Sequence, residues 1–200
     1  MAAPTDPDAT ITALLHAYRA YPSLATGAFY DEILTEVQDR VARAGSLGKA
    51  DLGALLLWKR LNLSARWTRA LNELPDAEVR TVTGRAYEVA RDGDRPIPEA
   101  AGEALAVLRM LPGCRHGAAV ASTVLTAGAP DRMAVYDRRA ATALKALGYS
   151  HPNGDYGRFM ATVCELTAAV NGATGTKWCP RDVDKALFIL GGNVGAGTPS

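Results

Sequence analysis

The spacing of the apolar residues constrains the fold of this 200-residue chain more than any other feature. Apolar side chains recur three and four positions apart almost throughout, as at Ile11, Leu14, Leu15 and Tyr18, and strict alternation over the length of a strand is absent. The first pattern is typical of an amphipathic helix, whereas a half-buried strand needs the second. The sequence therefore predicts an all-α protein.

Capping residues and glycines divide the chain into predicted helices. Asp137 is of a type that begins helices, and Gly45 and Gly172 stand where helices should end. The tail 191–200 holds four glycines and a proline, and we expect it to be disordered. The predicted helices cover about residues 8–20, 24–43, 49–61, 64–73, 76–91, 97–110, 116–127, 137–147, 155–170 and 180–190.

The composition is that of an ordinary globular protein, with 48% apolar residues. No run approaches the roughly eighteen apolar residues that a membrane-spanning helix needs, so we expect no membrane association. The first residues lack a basic segment followed by an apolar core, and an export signal is not predicted. We expect the protein to be cytoplasmic.

The cysteines and histidines form no recognisable metal or disulfide pattern. The three cysteines, Cys114, Cys164 and Cys179, are odd in number and lie 50 and 15 residues apart, which fits neither a disulfide framework nor paired CxxC motifs. The three histidines are equally dispersed. We expect idle thiols, no metal site and no cofactor.

Charges are unevenly distributed although the net charge is only +1. Between Asp51 and Glu73 the chain carries four cations and no acid, and the stretch 132–145 carries four cations and one acid, whereas acids prevail in the first forty residues. This distribution predicts a basic face opposite an acidic one. Charges that merely solvate ordinary helix surfaces explain it equally well.

A proline-glycine turn separates two predicted helices in the middle of the chain. It runs from Leu111 to Gly117, between a helix ending at Met110 and a helix of small residues. Free N–H groups at the start of the second helix, together with the helix dipole, can hold a phosphate oxygen, and Arg115 would strengthen that contact. A plain structural turn is the alternative.

The segment that follows carries a family resemblance. A short extended piece, 133–136, leads to Asp137, and the next helix ends at Leu147-Gly148. Together with the Leu-Pro-Gly turn at 111–113, these features resemble the helix-hairpin-helix superfamily of DNA glycosylases. Asn62 and the pair Ala65-Arg66 are similar to a segment of its 8-oxoguanine glycosylase branch. The resemblance covers about residues 50–148.

This resemblance implies a domain organisation and a function. Residues 1–190 would form a single domain of two lobes, one from 50–148 with the hairpin at 97–127, the other from 1–48 and 150–190. The protein would flip a damaged purine out of duplex DNA and cleave its N-glycosidic bond. We expect it to act as a monomer. A catalytically inactive DNA-binding protein and a helical interaction protein without a nucleic-acid role are the alternatives.

Asp137 and Lys59 are the candidate catalytic residues. A fixed carboxylate stabilises the positive charge that builds on the sugar as the bond breaks, and the resemblance assigns this role to Asp137, which by itself could be an ordinary helix cap. Lys59 is the candidate amine nucleophile, and contact with phosphate or solvent is the alternative role. As a nucleophile it must lie within a few ångströms of Asp137.

The chain departs from the family pattern at three places. Arg115 stands where the hairpin normally has its second glycine, which predicts strain there if the backbone is left-handed. Gly117 stands where bifunctional members carry their lysine, and this favours water over an amine as the nucleophile. The four-cysteine cluster of the endonuclease III branch is absent.

The remaining site residues are implied by the resemblance and by the positions of the cations and aromatic rings. The cations and the residues near them would contact DNA, and the aromatic rings would stack on the extruded base. The DNA-binding residues are Arg60, Asn62, Arg66, Gly113, Arg115, His116, Gly117 and Arg138, and the base-pocket residues are Trp58, Trp67 and Tyr136.

Overall fold

The computed structural model describes residues 6–23, 26–61 and 64–196. Over these residues the chain forms ten helices and no strand, so the all-α prediction is confirmed. The helices are α1 (Pro7–Arg19), α2 (Glu32–Ala44), α3 (Lys49–Trp58), α4 (Arg66–Glu73), α5 (Asp76–Arg91), α6 (Ile97–Leu108), α7 (Ala119–Gly128), α8 (Arg138–Ala146), α9 (Tyr156–Thr174) and α10 (Pro180–Ala196).

Local capping signals explain where several helices begin and end. The carboxylates of Asp137 and Asp155 accept the backbone N–H groups of the third helical residue of α8 and α9, at 2.9 and 3.0 Å. Gly45 and Gly175 end α2 and α9 with φ angles of 69° and 68°, a left-handed conformation that favours glycine. Short-range chemistry thus sets these boundaries.

Four predicted boundaries are wrong. The helix expected over 24–43 begins only at Glu32. The helix expected from residue 116 begins at Ala119, because Gly117 has a φ of 72° that an α-helix cannot include. Helix α9 continues through Gly172 to Thr174. Helix α10 continues to Ala196, so the disorder expected over 191–200 is wrong for residues 191–196, and 197–200 lie outside the described residues.

One hydrophobic core joins buried side chains from α1 to α10. The most extensive helix contacts are those of α8 with α10, α5 with α6, α1 with α10, and α6 with α9. Tyr87 of α5 lies fully inside this core, and its hydroxyl donates to the carbonyl of Val124 in α7 at 3.1 Å. No helix of the described residues is both long and apolar enough to cross a membrane.

Gly191 lets α10 approach α8 closely, and we expect Gly191→Ala to be destabilising. A β-carbon at this position would overlap the backbone carbonyl of Arg139, which cannot move as a side chain can. Such overpacking should lower the free energy of unfolding by about 1–3 kcal/mol. Urea denaturation followed by circular dichroism measures the change.

Gly192→Ala is the matched control. A β-carbon there would lie 3.4 Å from the flexible end of the Arg139 side chain, so the better helix propensity of alanine should leave stability unchanged or raise it. Equal destabilisation by the two substitutions would contradict the close approach at Gly191.

Candidate functional site

Lys59 and Asp137 form an ion pair although they lie 78 residues apart in the sequence. The Lys59 Nζ atom donates to Asp137 Oδ2 at 2.8 Å. Their side chains are 11% and 18% exposed, so the pair is largely shielded from solvent but is not fully buried. The distance that an amine nucleophile at Lys59 requires is therefore present.

Asp137 is held by the helix that follows it. Its backbone is extended, with φ −141° and ψ 174°, and its Oδ1 atom caps α8 by accepting from Ala140 N at 2.9 Å. The other carboxylate oxygen is the one that meets Lys59. The Asp137 carboxylate thus has a donor on each oxygen and lies at the positive end of the α8 dipole. Capping and a catalytic role are thus compatible in one carboxylate.

Lys59 is placed by an unusual helix end. It is the C-cap of α3, and Arg60 after it has a φ of 53°, a left-handed conformation that non-glycine residues adopt rarely. Arg60 N donates to Leu57 O at 3.0 Å and Leu61 N donates to Leu56 O at 2.9 Å, the two hydrogen bonds of a Schellman motif. This left-handed turn ends α3 directly after Lys59 and so fixes the position of the Lys59 backbone.

A polar network adjoins the pair, and sequence reasoning missed most of it. Its members, which we call the Arg181 network, are Tyr21, Asp31, Trp58, Arg181 and Asp184. The Arg181 guanidinium pairs with both carboxylates, and its Nη2 atom donates to the Tyr21 hydroxyl at 3.0 Å. Trp58 Nε1 donates to Asp31 Oδ1 at 3.2 Å.

Burial and neighbouring charges shift the pKa values in the Arg181 network, and burial raises the pKa of the Asp184 carboxyl although Arg181 lies beside it. Burial by itself lowers the pKa of Arg181, but Asp184 and Asp31 outweigh this effect and raise the pKa above its ordinary value. Burial also raises the pKa of Tyr21, which therefore remains a neutral phenol that donates to Asp31 Oδ1 at 3.1 Å. The only sequence signal for this network is the spacing of Arg181 and Asp184, three residues apart on α10.

The hairpin between α6 and α7 contains two left-handed glycines. Gly113 and Gly117 have φ angles of 88° and 72°. Arg115 is not among the described residues with positive φ, so the strain expected there is wrong. A β-carbon at Gly113 would overlap the Trp67 ring, which packs directly on the turn. The start of α7 at Ala118 has no side-chain cap.

A cavity of about 480 Å³ opens beside this hairpin. Its walls carry the cations Arg66 and Arg115, the imidazole of His116, and the apolar surface of Trp67. The helix start and these positive groups together suit an anion. Lys59 and Asp137 do not line this cavity, so the chain presents two distinct features.

Four predicted DNA-binding cations are exposed and form no ion pair with any described residue: Arg60, Arg66, Arg115 and Arg138. Arg69, from the same basic stretch, differs because it pairs with Glu73 at 3.3 Å. Exposed cations without an acidic partner remain available for phosphate. Asn62 lies outside the described residues.

The three predicted base-pocket rings lie in different places. Trp58 is buried in the core, Trp67 lines the hairpin cavity, and the Tyr136 ring packs edge-on against Phe159 with centroids 5.1 Å apart. The Tyr136 hydroxyl accepts from Gly154 N at 3.2 Å. The Trp58 ring lies beside the ion pair, with its centroid 5.6 Å from Lys59 Nζ.

No cluster of three or more histidine, cysteine or acidic side chains suited to a metal ion exists among the described residues. Cys114 is buried, and burial raises the pKa of its thiol to about 12.

Comparison of the chain with protein-family models, with curated proteins and with solved structures finds no match.

Proposed function

We propose that this chain is a DNA glycosylase of the helix-hairpin-helix type, which flips a damaged purine out of duplex DNA and cleaves its N-glycosidic bond. The contact between Lys59 Nζ and Asp137 Oδ2 at 2.8 Å carries the proposal. An amine and a carboxylate in contact at a partly shielded position provide a nucleophile and an anion for a cationic transition state. The family resemblance selects Asp137, and Lys59 is the only lysine of the basic stretch 52–72.

In the proposed reaction Lys59 attacks C1′ of the flipped nucleotide. Lys59 must first lose a proton, which Asp137 Oδ2, at 2.8 Å, accepts and passes to solvent, so that the carboxylate is again an anion when the bond to the base breaks. The Nζ–C1′ bond forms while the bond from C1′ to the base breaks, and its electron pair leaves with the base, which takes up a proton from solvent. The C1′–O4′ bond then breaks while one proton passes from Nζ to O4′, which opens the sugar ring and leaves a protonated imine between Nζ and C1′. Asp137 stabilises the positive charge on the sugar.

The measured distance supports the amine nucleophile over water. Gly117 lacks the lysine that family members carry after the hairpin, and Lys59 supplies an amine from α3 instead. Hydrolysis by water remains the competing version of the same function, and Asp137 would serve both. The two versions differ in whether a covalent complex forms.

The hairpin and its cavity form the proposed DNA contact. Helices α6 and α7 contact each other, and residues 109–118 connect them. Backbone N–H groups at the uncapped start of α7, with Arg66 and Arg115 beside them, would hold phosphates without reading bases. In this proposal the lobe 50–148 carries the hairpin, and 1–48 with 150–190 forms the second lobe.

One observation favours a different function on the same fold. Asp137 caps α8 and pairs with Lys59, and both contacts would also suit a purely structural ion pair in an inactive DNA-binding protein. The experiment that separates the two is a cleavage assay on duplexes that each carry one lesion, run with and without alkali. Base release from one lesion duplex supports the glycosylase, whereas binding without release from any duplex supports the inactive protein.

We expect duplex binding to show little sequence preference and to weaken steeply as salt rises. Phosphate contacts by exposed cations release counterions, so Arg115→Ala or Arg66→Ala should reduce the slope of log affinity against log salt by about 1 on every duplex. Fluorescence anisotropy measures this slope.

Arg158→Ala is the matched control for binding. Arg158 is an exposed cation on α9 that pairs with Asp155, so its loss removes the same charge from a different helix. If all three substitutions change the slope equally, the hairpin has no special role. If no duplex binds at low salt, the nucleic-acid function itself is wrong.

A further inference from the structure

The Arg181 network connects the two segments that carry Lys59 and Asp137. Asp184 Oδ2 accepts the backbone N–H of Val135 at 2.7 Å, two residues before Asp137. Asp31 accepts the indole N–H of Trp58 at 3.2 Å, one residue before Lys59. Arg181 pairs with both carboxylates. Each partner of the ion pair is thus tied through a neighbouring residue to the same guanidinium.

Stability alone is a weak explanation for this arrangement. A buried arginine between two carboxylates must lose its hydration, and packed apolar side chains of similar volume are often as stable or more stable. The side chain of Arg181 is only 8% exposed, and its Nε atom is buried without a hydrogen-bond partner among the described residues. What such a network does provide is a fixed geometry for the groups that it joins.

The geometry that it fixes is that of the ion pair. The segment 133–136 is not helical, and its backbone is held by contacts from other elements. Ser122 Oγ accepts from Tyr136 N at 2.9 Å, and Asp184 is the charged anchor, which accepts from Val135 N at 2.7 Å. The guanidinium also lies 5.4 Å from the centroid of the Trp58 ring, on the residue next to Lys59. A displacement of either segment by 1 Å would break a contact of 2.8 Å.

We infer that Arg181, acting through Asp184 and Asp31, is a positioning residue that holds Lys59 against Asp137. The inference rests on the proposed function in so far as the pair is taken to be catalytic. Arg181 itself touches neither Lys59 nor Asp137 in any described contact, and so it is not a catalytic residue.

The test measures the ion pair without relying on catalysis. Brief reductive methylation with formaldehyde and cyanoborohydride, followed by peptide mass spectrometry, gives the labelling of Lys59 relative to Lys145, which is exposed. We expect Lys59 to be protected in the wild type and to lose this protection in Arg181→Met and Asp184→Asn. Asp184→Asn keeps the shape of the side chain and decides the matter if Arg181→Met does not fold.

Two internal controls separate positioning from general loosening. Lys49 Nζ donates to the carbonyls of Asn72 and Leu74, at 3.1 and 2.9 Å, and its labelling should stay unchanged in both variants. Thr83→Val removes buried hydrogen bonds to Leu47 and should lower stability without changing the labelling of Lys59. All proteins are compared below their unfolding temperatures.

The expected kinetic consequence is a lower kcat with an unchanged KM. Misplacement by about 1 Å can slow a reaction about 100-fold, so we expect kcat for base release to fall by that order in Asp184→Asn while KM for duplex DNA stays unchanged. A wild-type protein that releases no base refutes the proposed function, yet the labelling still decides the role of Arg181. Folded variants in which Lys59 stays protected overturn the inference.

Discussion

Replacing Asp137 with asparagine is expected to abolish base release, a loss of at least about 100-fold, while duplex binding stays the same or becomes slightly tighter. In the proposed reaction, the substitution removes the carboxylate that would stabilise positive charge on the sugar and accept the proton of Lys59. It leaves the exposed cations at the hairpin untouched. Single-turnover base release and fluorescence anisotropy, measured on the same duplex, give the two quantities.

The helix cap should survive this substitution. Asparagine is about as good an N-cap as aspartate, so its side-chain oxygen can still accept from Ala140 N, where loss of the whole cap would cost about 1 kcal/mol. Asp155→Asn is the matched control, because Asp155 caps α9 in the same way and has Arg158, not a lysine, as its ionic partner. Full base release by a folded Asp137→Asn protein would reduce Asp137 to a helix cap.

The helices could be predicted because their signals are local. Apolar spacing identifies a helix from its own residues, and a capping aspartate such as Asp137 or a left-handed glycine such as Gly45 acts within one turn. Where distant contacts decide, prediction was wrong. Asp31 stands just before α2 with its carboxylate held by Tyr21 and Trp58, and nothing within 24–43 announces these partners.

Gly191 in α10 is a second case in which a contact between distant residues could not be predicted from local sequence. A run rich in glycine is usually read as disorder, but Gly191 serves the contact of α10 with the backbone of Arg139. Only the three-dimensional arrangement distinguishes a glycine needed for close packing from one that loosens the chain. The sequence of α10 alone does not contain that information.

The candidate site was predictable only in part. Asp137 and Lys59 were chosen from a resemblance and from a basic stretch, and periodicity could not have brought together residues 78 positions apart. Arg181 was missed because arginine is rarely buried unless it is paired, and its partners come from α10 and from the residues before α2. The contact of the Trp67 ring with Gly113 of the hairpin could not be predicted either, because the two residues lie far apart in the sequence.

The second prediction with a large expected effect concerns the nucleophile. If Lys59 attacks the sugar, borohydride added during the reaction should reduce the imine and trap a covalent complex between protein and DNA. Lys59→Gln should abolish this complex entirely, because an amide side chain cannot form an imine. Denaturing gel electrophoresis of labelled duplex measures the trapped fraction.

Lys185→Gln provides the comparison that gives this result its meaning. Lys185 is also half-buried, pairs with Asp182 at 3.4 Å and lies over the Tyr18 and Tyr21 rings, so the same substitution there removes an amine of similar surroundings. Trapping should persist in Lys185→Gln. A complex that survives Lys59→Gln and vanishes in Lys185→Gln would move the nucleophile to α10.

The hydrolytic version predicts a different pattern from the same proteins. With water as the nucleophile the wild type should leave an intact abasic site, strands should break only after alkali, and borohydride should trap nothing. Lys59→Gln would then slow base release only through its effect on Asp137, which would lose the partner that lies 2.8 Å away. Since Asp137→Asn is expected to abolish release in both versions, loss of activity does not distinguish them. Trapping in the wild type decides whether Lys59 acts as a nucleophilic amine or as a fixed ammonium counter-ion.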